Sequence, residues 1–321
     1  MDAKPLVSII INNYNYARFL SDAIDSSLAQ TYPYIEVIVV DDGSTDNSRD
    51  IIDGYDNQIV RVFKDNGGQA SALNVGFAAS QGEIICLLDA DDIYLPEKVS
   101  EVVDLFKNYQ NIDWVFHESV SLNSEDIIHY NFKNQDNLAQ NTQKDIQKLV
   151  QEIDFRNNIL NAELPKFVPA TSNLCFSRKI VDKIFPLPEI KGFSGTAISD
   201  LYIKYLAIGL GTGYVSKKKL GIFRLHNNIY SNPEISINKK RKMYAEINMI
   251  TAYWMRVKFP AFSKLSKKLF CKGLANYLRI QGSEYEEVIK DYLSTVGFIE
   301  KIEITWKTFY YFIKLGFATM V

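Results

Sequence analysis

Cysteine is scarce in this 321-residue chain: Cys86, Cys175 and Cys271 are far apart and odd in number. Such usage argues against a disulfide framework or a cysteine-based zinc cluster and fits a reducing compartment, the cytoplasm. Long uncharged apolar runs are missing as well. No stretch reaches the roughly 18 residues needed to cross a bilayer, and the closing segment from Ile302 to Val321 is interrupted by Glu303, Lys307 and Lys314. The first apolar run, Leu6 to Ile11, is too short for the core of a secretory signal. An excess of positive charge is also absent, 36 basic against 38 acidic residues. That balance speaks against nucleic acid as the main partner, because a phosphate backbone demands a basic face.

What is present describes a globular chain longer than one average domain. With 47% hydrophobic and 23% charged residues it can bury a sizeable core. The charge is unevenly placed: residues 1–238 hold 21 basic and 31 acidic side chains, net −10, whereas residues 239–321 hold 15 and 7, net +8.

The first hundred residues alternate between apolar runs and helical patterns. Strands are expected at Val7 to Ile11, Glu36 to Val40, Ile59 to Phe63 and from Ile84, with helices at Arg18 to Gln30, from the Ser44-Thr45-Asp46 cap to Tyr55, and at Gln69 to Ala79. This order implies parallel βαβ units in a doubly wound α/β sheet. A helix from Pro96 to Tyr109 and a strand from Asp113 to Ser121 follow. The stretch from Asn123 to Pro165, rich in Asn, Gln and Asp, reads as an insertion with one helical patch at Ile146 to Ile153. Order returns at Thr171 to Phe176 and continues through a helix at Ala197 to Ile208 and a strand at Leu220 to Leu225. After Pro233 the pattern is almost wholly helical.

The most informative stretch is Ile84-Ile85-Cys86-Leu87-Leu88-Asp89-Ala90-Asp91-Asp92, five apolar residues running into three carboxylates. The apolar run suits a strand covered on both faces, and ligands of open α/β sheets gather at the carboxyl ends of such strands. If the strand continues one step, its two-residue period turns Asp89 and Asp91 to one side, where they can share a divalent cation. The plainer alternative is a polar turn in which Asp92 caps whatever follows.

Four motifs stand in order at successive strand ends: Val7-Ser8-Ile9-Ile10-Ile11-Asn12-Asn13-Tyr14-Asn15, Val39-Val40-Asp41-Asp42-Gly43-Ser44-Thr45-Asp46, Asn66-Gly67-Gly68 with Asn74-Val75-Gly76, and Leu88-Asp89-Ala90-Asp91-Asp92. Over residues 5 to 228 the chain closely resembles family 2 glycosyltransferases of the GT-A fold. That resemblance implies a catalytic domain at 1–232, with a nucleotide-binding half to about 110 and an acceptor-binding half beyond it that includes the insertion near 123–165. A helical region follows at 233–321. It also implies an inverting transfer from a nucleotide sugar, UDP-linked, to a glycan or lipid-linked acceptor in surface polysaccharide synthesis.

Within the resemblance each site residue takes an expected role. Asn12 and Tyr14 line the nucleoside, although relatives often have proline where Asn12 stands. Asp42 accepts from the base imide, a selectivity that one well-placed acceptor can give; its plainer role is a helix cap. Gly68 allows close backbone approach to phosphates, and Asn74 is a ligand contact beside Leu73, where many relatives are basic. Asp89 lies at the ribose, Asp91 coordinates Mn²⁺ or Mg²⁺, and Asp92 assists the acceptor. In Phe223-Arg224-Leu225-His226 strand alternation buries Phe223 and Leu225 and leaves Arg224 and His226 on the other face. There Arg224 suits the diphosphate, and His226 completes the metal site. The attacking hydroxyl needs a base, and Asp200 is the candidate, with Ser199 standing where relatives commonly show glutamate.

Two rival readings differ in chemistry. A sugar nucleotidyltransferase would want a glycine-rich basic loop near the N-terminus, where this chain has Asn12-Asn13-Tyr14-Asn15. A non-catalytic nucleotide- or carbohydrate-binding module would keep the donor pocket without a working base. In the basic C-terminal region Lys239-Lys240-Arg241-Lys242 opens a tail in which Phe262, Leu265 and Leu269 share one side and Lys264, Lys267, Lys268 and Lys272 another, with an apolar patch at Phe309 to Phe312. These helices are expected either to cap the catalytic domain or to make peripheral contact with the inner face of the membrane.

Overall fold

The computed structural model describes residues 4–109, 111–130, 150–167, 169–189, 199–226, 235–280 and 285–317. The middle of the expected insertion, 131–149, and the first two residues of the helix expected at 197 lie outside these.

The polypeptide divides into two compact units. The first contains Met1–Asp154, Phe167–Thr196 and Leu206–His226. Its opening strands follow the apolar runs: β1 (Val7–Asn13), β2 (Ile35–Asp42), β3 (Val60–Lys64) and β4 (Ile84–Asp89), joined by α1 (Ala17–Leu28), α2 (Ser48–Asp53) and α3 (Gln69–Ala79). They lie in the order β3-β2-β1-β4, all parallel. Ile9, Ile10, Ile11, Val39, Val40 and Leu88 are wholly buried, as expected for strands covered on both faces. Gly76 lets α3 lie close against the sheet, since a Cβ there would come within 2.5 Å of Ile10 Cγ2 and 3.1 Å of Val40 Cγ2.

Beyond β4 the sheet becomes mixed. It continues β8 (Leu174–Ser177), β6 (Trp114–Asn123), β9 (Gly213–Leu225) and β5 (Ile93–Tyr94), with β7 (Val150–Ile153) also on β9. β8 runs antiparallel to β4 and β6, while β6 and β9 are parallel. Helices α4 (Lys98–Asn108), α5 (Ser124–Ile128) and α7 (Arg178–Ile184) accompany these strands, and α8 (Ser199–Leu210) precedes β9. The helical patch expected at Ile146 to Ile153 is corrected: Val150 to Ile153 pair antiparallel with Gly213 to Ser216. Cys86 and Cys175, remote in sequence, stand directly opposite each other on β4 and β8 as free buried thiols.

The second unit gathers Phe155–Lys166, Ala197–Tyr205 and Asn227–Val321. Two earlier segments thus group with the C-terminal helices in this unit. Its helices are α6 (Arg156–Leu160), α9 (Ile237–Lys258), α10 (Ser263–Ile280), α11 (Glu286–Ser294) and α12 (Phe298–Phe317). The Ser236 hydroxyl caps α9 by accepting from the Lys239 N–H. Phe270 on α10 stacks on Tyr292 of α11 with centroids 3.8 Å apart. Lys264 and Lys268 of α10 donate to Asn161 and the Ala162 carbonyl just after α6. Phe262, Leu265 and Leu269 are buried, so the apolar side expected to meet a membrane here is covered by protein. Among the described residues no helix is long and apolar enough to cross a membrane.

Candidate active site

Parallel pairing brings the polar ends of three strands to one edge. Asn12 is the register partner of Asp89 and of Val40, and Asn13 that of Asp41. Asn13 Nδ2 donates to Asp41 Oδ1 at 3.0 Å, and Asp41 also accepts from the Ser44 N–H and Arg49 Nε. The Asn12 side-chain oxygen is buried without a partner, while Tyr14 is 46% exposed.

The carboxylate of Asp42 is fully used. It accepts from Lys64 Nζ at 2.5 Å, the Gly67 N–H at 2.9 Å, the Gly68 N–H at 2.7 Å and Asn66 Nδ2 at 3.3 Å. A carboxylate has about four lone-pair sites, so this one could accept from a base only by releasing a loop donor. Asp42 pins the Asn66-Gly67-Gly68 loop to the end of β2, and Gly68, at φ +84°, supplies the left-handed turn into α3. Its N–H, expected near phosphate, is spent on Asp42. Asn74 is likewise committed elsewhere: its amide donates to the Leu187 carbonyl and Glu189 and accepts from the Leu187 N–H.

After β4 the chain does not continue as a strand. The Asp92 N–H donates back to the Asp89 carbonyl at 3.0 Å, so a turn, not strand periodicity, sets the three carboxylates. Gln69 Nε2 donates to Asp89 Oδ1 at 2.8 Å. Asp91 Oδ2 meets His226 Nε2 at 2.7 Å, across 135 positions of sequence. Asp92 is buried, accepting from the Ser172 hydroxyl at 2.6 Å and the Arg224 N–H at 3.0 Å. Burial, with Asp91 and Asp89 beside it, raises the Asp92 pKa well above the usual carboxylate range.

The expected exposure of β9 is inverted at its end. Arg224 is buried, whereas Phe223 and Leu225 are only half-buried. A buried guanidinium requires partners, and it has them: Asp22 at 2.6 Å, the Asp91 carbonyl at 2.9 Å and the Phe19 ring face at 4.5 Å. Arg224 thus braces the carboxylate turn. Arg18 lies 3.4 Å from His226 Nδ1, and the Tyr16 and Phe19 rings flank the imidazole. An arginine can only donate, so this contact assigns the proton of a neutral His226 to Nε2, facing Asp91.

Asp200 lies in the first turn of α8, in the second unit, where its carboxylate pairs with Lys204 at 3.0 Å. Sequence reasoning missed Tyr16, Gln69, Asp22 and Ser172. Burial and the nearby Asp91 and Asp89 carboxylates push the Tyr16 phenol up to about 12. Ser172 bridges the turn, accepting from the Asp89 N–H and donating to Asp92.

Among the described residues no group of three or more His, Cys, Asp or Glu side chains is arranged to hold a metal ion by itself. Asp91 and His226 supply one carboxylate and one imidazole at a single point. That donor set fits a Mg²⁺ or Mn²⁺ ion completed by phosphate oxygens and water rather than a closed protein cage.

The profile of Glycosyl transferase family 2 matches residues 8–185, more than half of the chain. An uncharacterized glycosyltransferase of Nostoc sp. is 35% identical over 285 residues, covering 86% of this chain and 84% of that protein. The chain belongs to glycosyl transferase family 2. A Bacillus subtilis protein provisionally named the teichuronic acid biosynthesis glycosyltransferase TuaG is 36% identical over 105 residues, 32% of this chain and 42% of its own. In fold, S. aureus TarS residues 1–349 in complex with UDP-GlcNAc superposes with a TM-score of 0.61 at 15% identity, over 96% of this chain and 89% of TarS. The Pyrobaculum calidifontis mannosyltransferase PcManGT, in complex with GDP-Man and Mn²⁺, superposes at 0.51 and 15% identity, over 97% and 86%. This family 2 enzyme therefore has the GT-A fold with a helical C-terminal region and is a glycosyltransferase.

Proposed function

We propose that this glycosyltransferase moves a sugar, with inversion, from a UDP-linked donor to a glycan or lipid-linked acceptor in surface polysaccharide synthesis, assisted by Mn²⁺ or Mg²⁺. The observation that carries the reading is the meeting of Asp91 with His226 at the carboxyl end of β4. The TuaG likeness supports the polysaccharide assignment, and the UDP-GlcNAc that TarS binds supports the donor class. The three free cysteines suit a reducing, cytoplasmic setting.

Asp91 and His226 would hold the ion, which as a Lewis acid offsets the negative charge developing on the departing nucleoside diphosphate. Use of His226 Nε2 as a ligand requires its proton to sit on Nδ1, which breaks the Arg18 contact and frees that guanidinium. Asp89, oriented by Gln69, faces the ribose. Asn12 and Tyr14 line the base side, with the orphaned Asn12 oxygen a ready acceptor for a base N–H. Asp92, Ser172 and Arg224 keep the turn rigid. Asp200 takes the proton of the attacking hydroxyl, so that one displacement inverts the anomeric carbon.

The test is nucleoside diphosphate release across a sugar-nucleotide panel with Mn²⁺, Mg²⁺ or chelator. Wild type turns over with the metal ions alone, and Asp91→Ala and Asp200→Asn each lose at least about a hundredfold. Unchanged turnover of Asp200→Asn overturns the base assignment, and turnover in chelator overturns the metal.

A further inference from the structure

Helix α12 has two apolar faces. On the inner one Ile304 and Thr308 are buried, and contacts from α10 reach it: Cys271 Sγ donates to the Ile304 carbonyl and Arg279 to that of Phe312. The outer one carries Ile299 at 75% exposure, Ile302 at 46%, Trp306 at 70%, Phe309 at 57%, Tyr310 at 55% and Ile313 at 44%. At 100° per residue these six fall within about a third of the circumference along a helix of about 30 Å. A continuous exposed stripe of this kind marks a contact surface.

The edges of the stripe identify what it meets. Lys307 and Lys314 follow one side, and Lys314 approaches Tyr310, its ammonium 5.6 Å from the ring centroid. Lys268 and Lys272 of α10 stand near Lys314, close enough that burial and these neighbouring ammonium groups lower both pKa values. The acidic residues of α12 are engaged, Glu300 with Arg256 and Lys267, Glu303 with Lys267. An aromatic and aliphatic stripe with a lysine rim is the pattern of a helix lying in a lipid interface, its rings among the acyl chains and its ammonium groups at the phosphates. A second copy fits less well, because pairing two such faces brings like-charged rims together.

We propose that the outer face of α12 docks the protein on an anionic membrane surface. This is independent of the transfer reaction, and it does not use the apolar side of α10, which is covered. The test is flotation of the full chain with phosphatidylcholine vesicles and with vesicles that also contain phosphatidylglycerol. Wild type is expected to float with the anionic vesicles and at least about tenfold less with the neutral ones, and raised salt releases it. The exposed-site variants Trp306→Ser with Ile313→Ser, and Lys307→Glu with Lys314→Glu, each lower flotation by at least about tenfold. Unchanged thermal unfolding of these variants shows that they remain folded. Absence of flotation, or flotation equal in wild type and variants, overturns the proposal. So does a dimer in sedimentation that Trp306→Ser dissolves, since the face would then belong to a second copy.

Discussion

At the scale of single residues, buried polar groups at the sheet edge explain more than exposed ones. Asp42 ties four donors to one carboxylate, and truncation leaves the Gly67 and Gly68 N–H groups without their acceptor and Lys64 with only the Asp65 carbonyl. Asp42→Ala is expected to cost about 2–4 kcal/mol in urea unfolding; a midpoint equal to wild type would show that the loop does not depend on it. His117 offers a pH-dependent counterpart. It is buried, its Nδ1 meets the Glu118 carbonyl, and its Nε2 has no partner. Burial, aided by the Lys98 charge, pulls its pKa from 6.5 down to about 3. Because the folded value is the lower one, the unfolded chain takes up the proton first. The stabilisation is complete above pH 6.5 and is lost as pH falls toward 3, on the order of 5 kcal/mol in all. Unfolding free energy measured against pH should therefore fall less steeply across that window in His117→Leu, and parallel curves would remove His117 from the acid response.

At the scale of elements, legibility followed the range of the interactions that decide each one. β1, β2 and β4 were readable because mostly apolar runs such as Val7 to Ile11 and Ile84 to Leu88 are buried on both faces whatever lies beside them, whereas β3 is an edge strand that leaves Val60 and Phe63 exposed. β7 was not readable, because the Ile146 to Ile153 spacing suits a helix until β9 supplies a strand partner. Arg224 was misplaced for a related reason: alternation along β9 favours burying Phe223, but Asp22, 202 positions away, makes burial of the guanidinium tolerable. The carboxylate turn was half legible. Asp89, Asp91 and Asp92 announce themselves, whereas Ser172 sits in an ordinary Thr171–Asn173 turn that tertiary packing alone brings beneath them. The packing of α3 on the sheet gives a further prediction. Gly76→Ala pushes a methyl into Ile10 and should destabilise by about 1–3 kcal/mol, read as a lower thermal midpoint; no change would mean that α3 moves freely.

At the scale of the whole molecule, sequence order at four strand ends carried the family, and the family model and the Nostoc relative agree on it, while the solved structures agree on the fold. Residues 155–166 and 197–205 group with the C-terminal helices through contacts that no local pattern records. Asp200 falls in one of those segments. The Asp91–His226 pair belongs wholly to the first unit, so its role can be separated from the base by measuring binding instead of turnover. The most direct measurement is calorimetric titration of UDP into the protein with Mn²⁺ and with chelator. The account predicts that Mn²⁺ tightens UDP binding of wild type by at least about tenfold, and that Asp91→Ala and His226→Ala abolish that gain. Equal UDP affinity with and without Mn²⁺, or a gain that survives both substitutions, would contradict it.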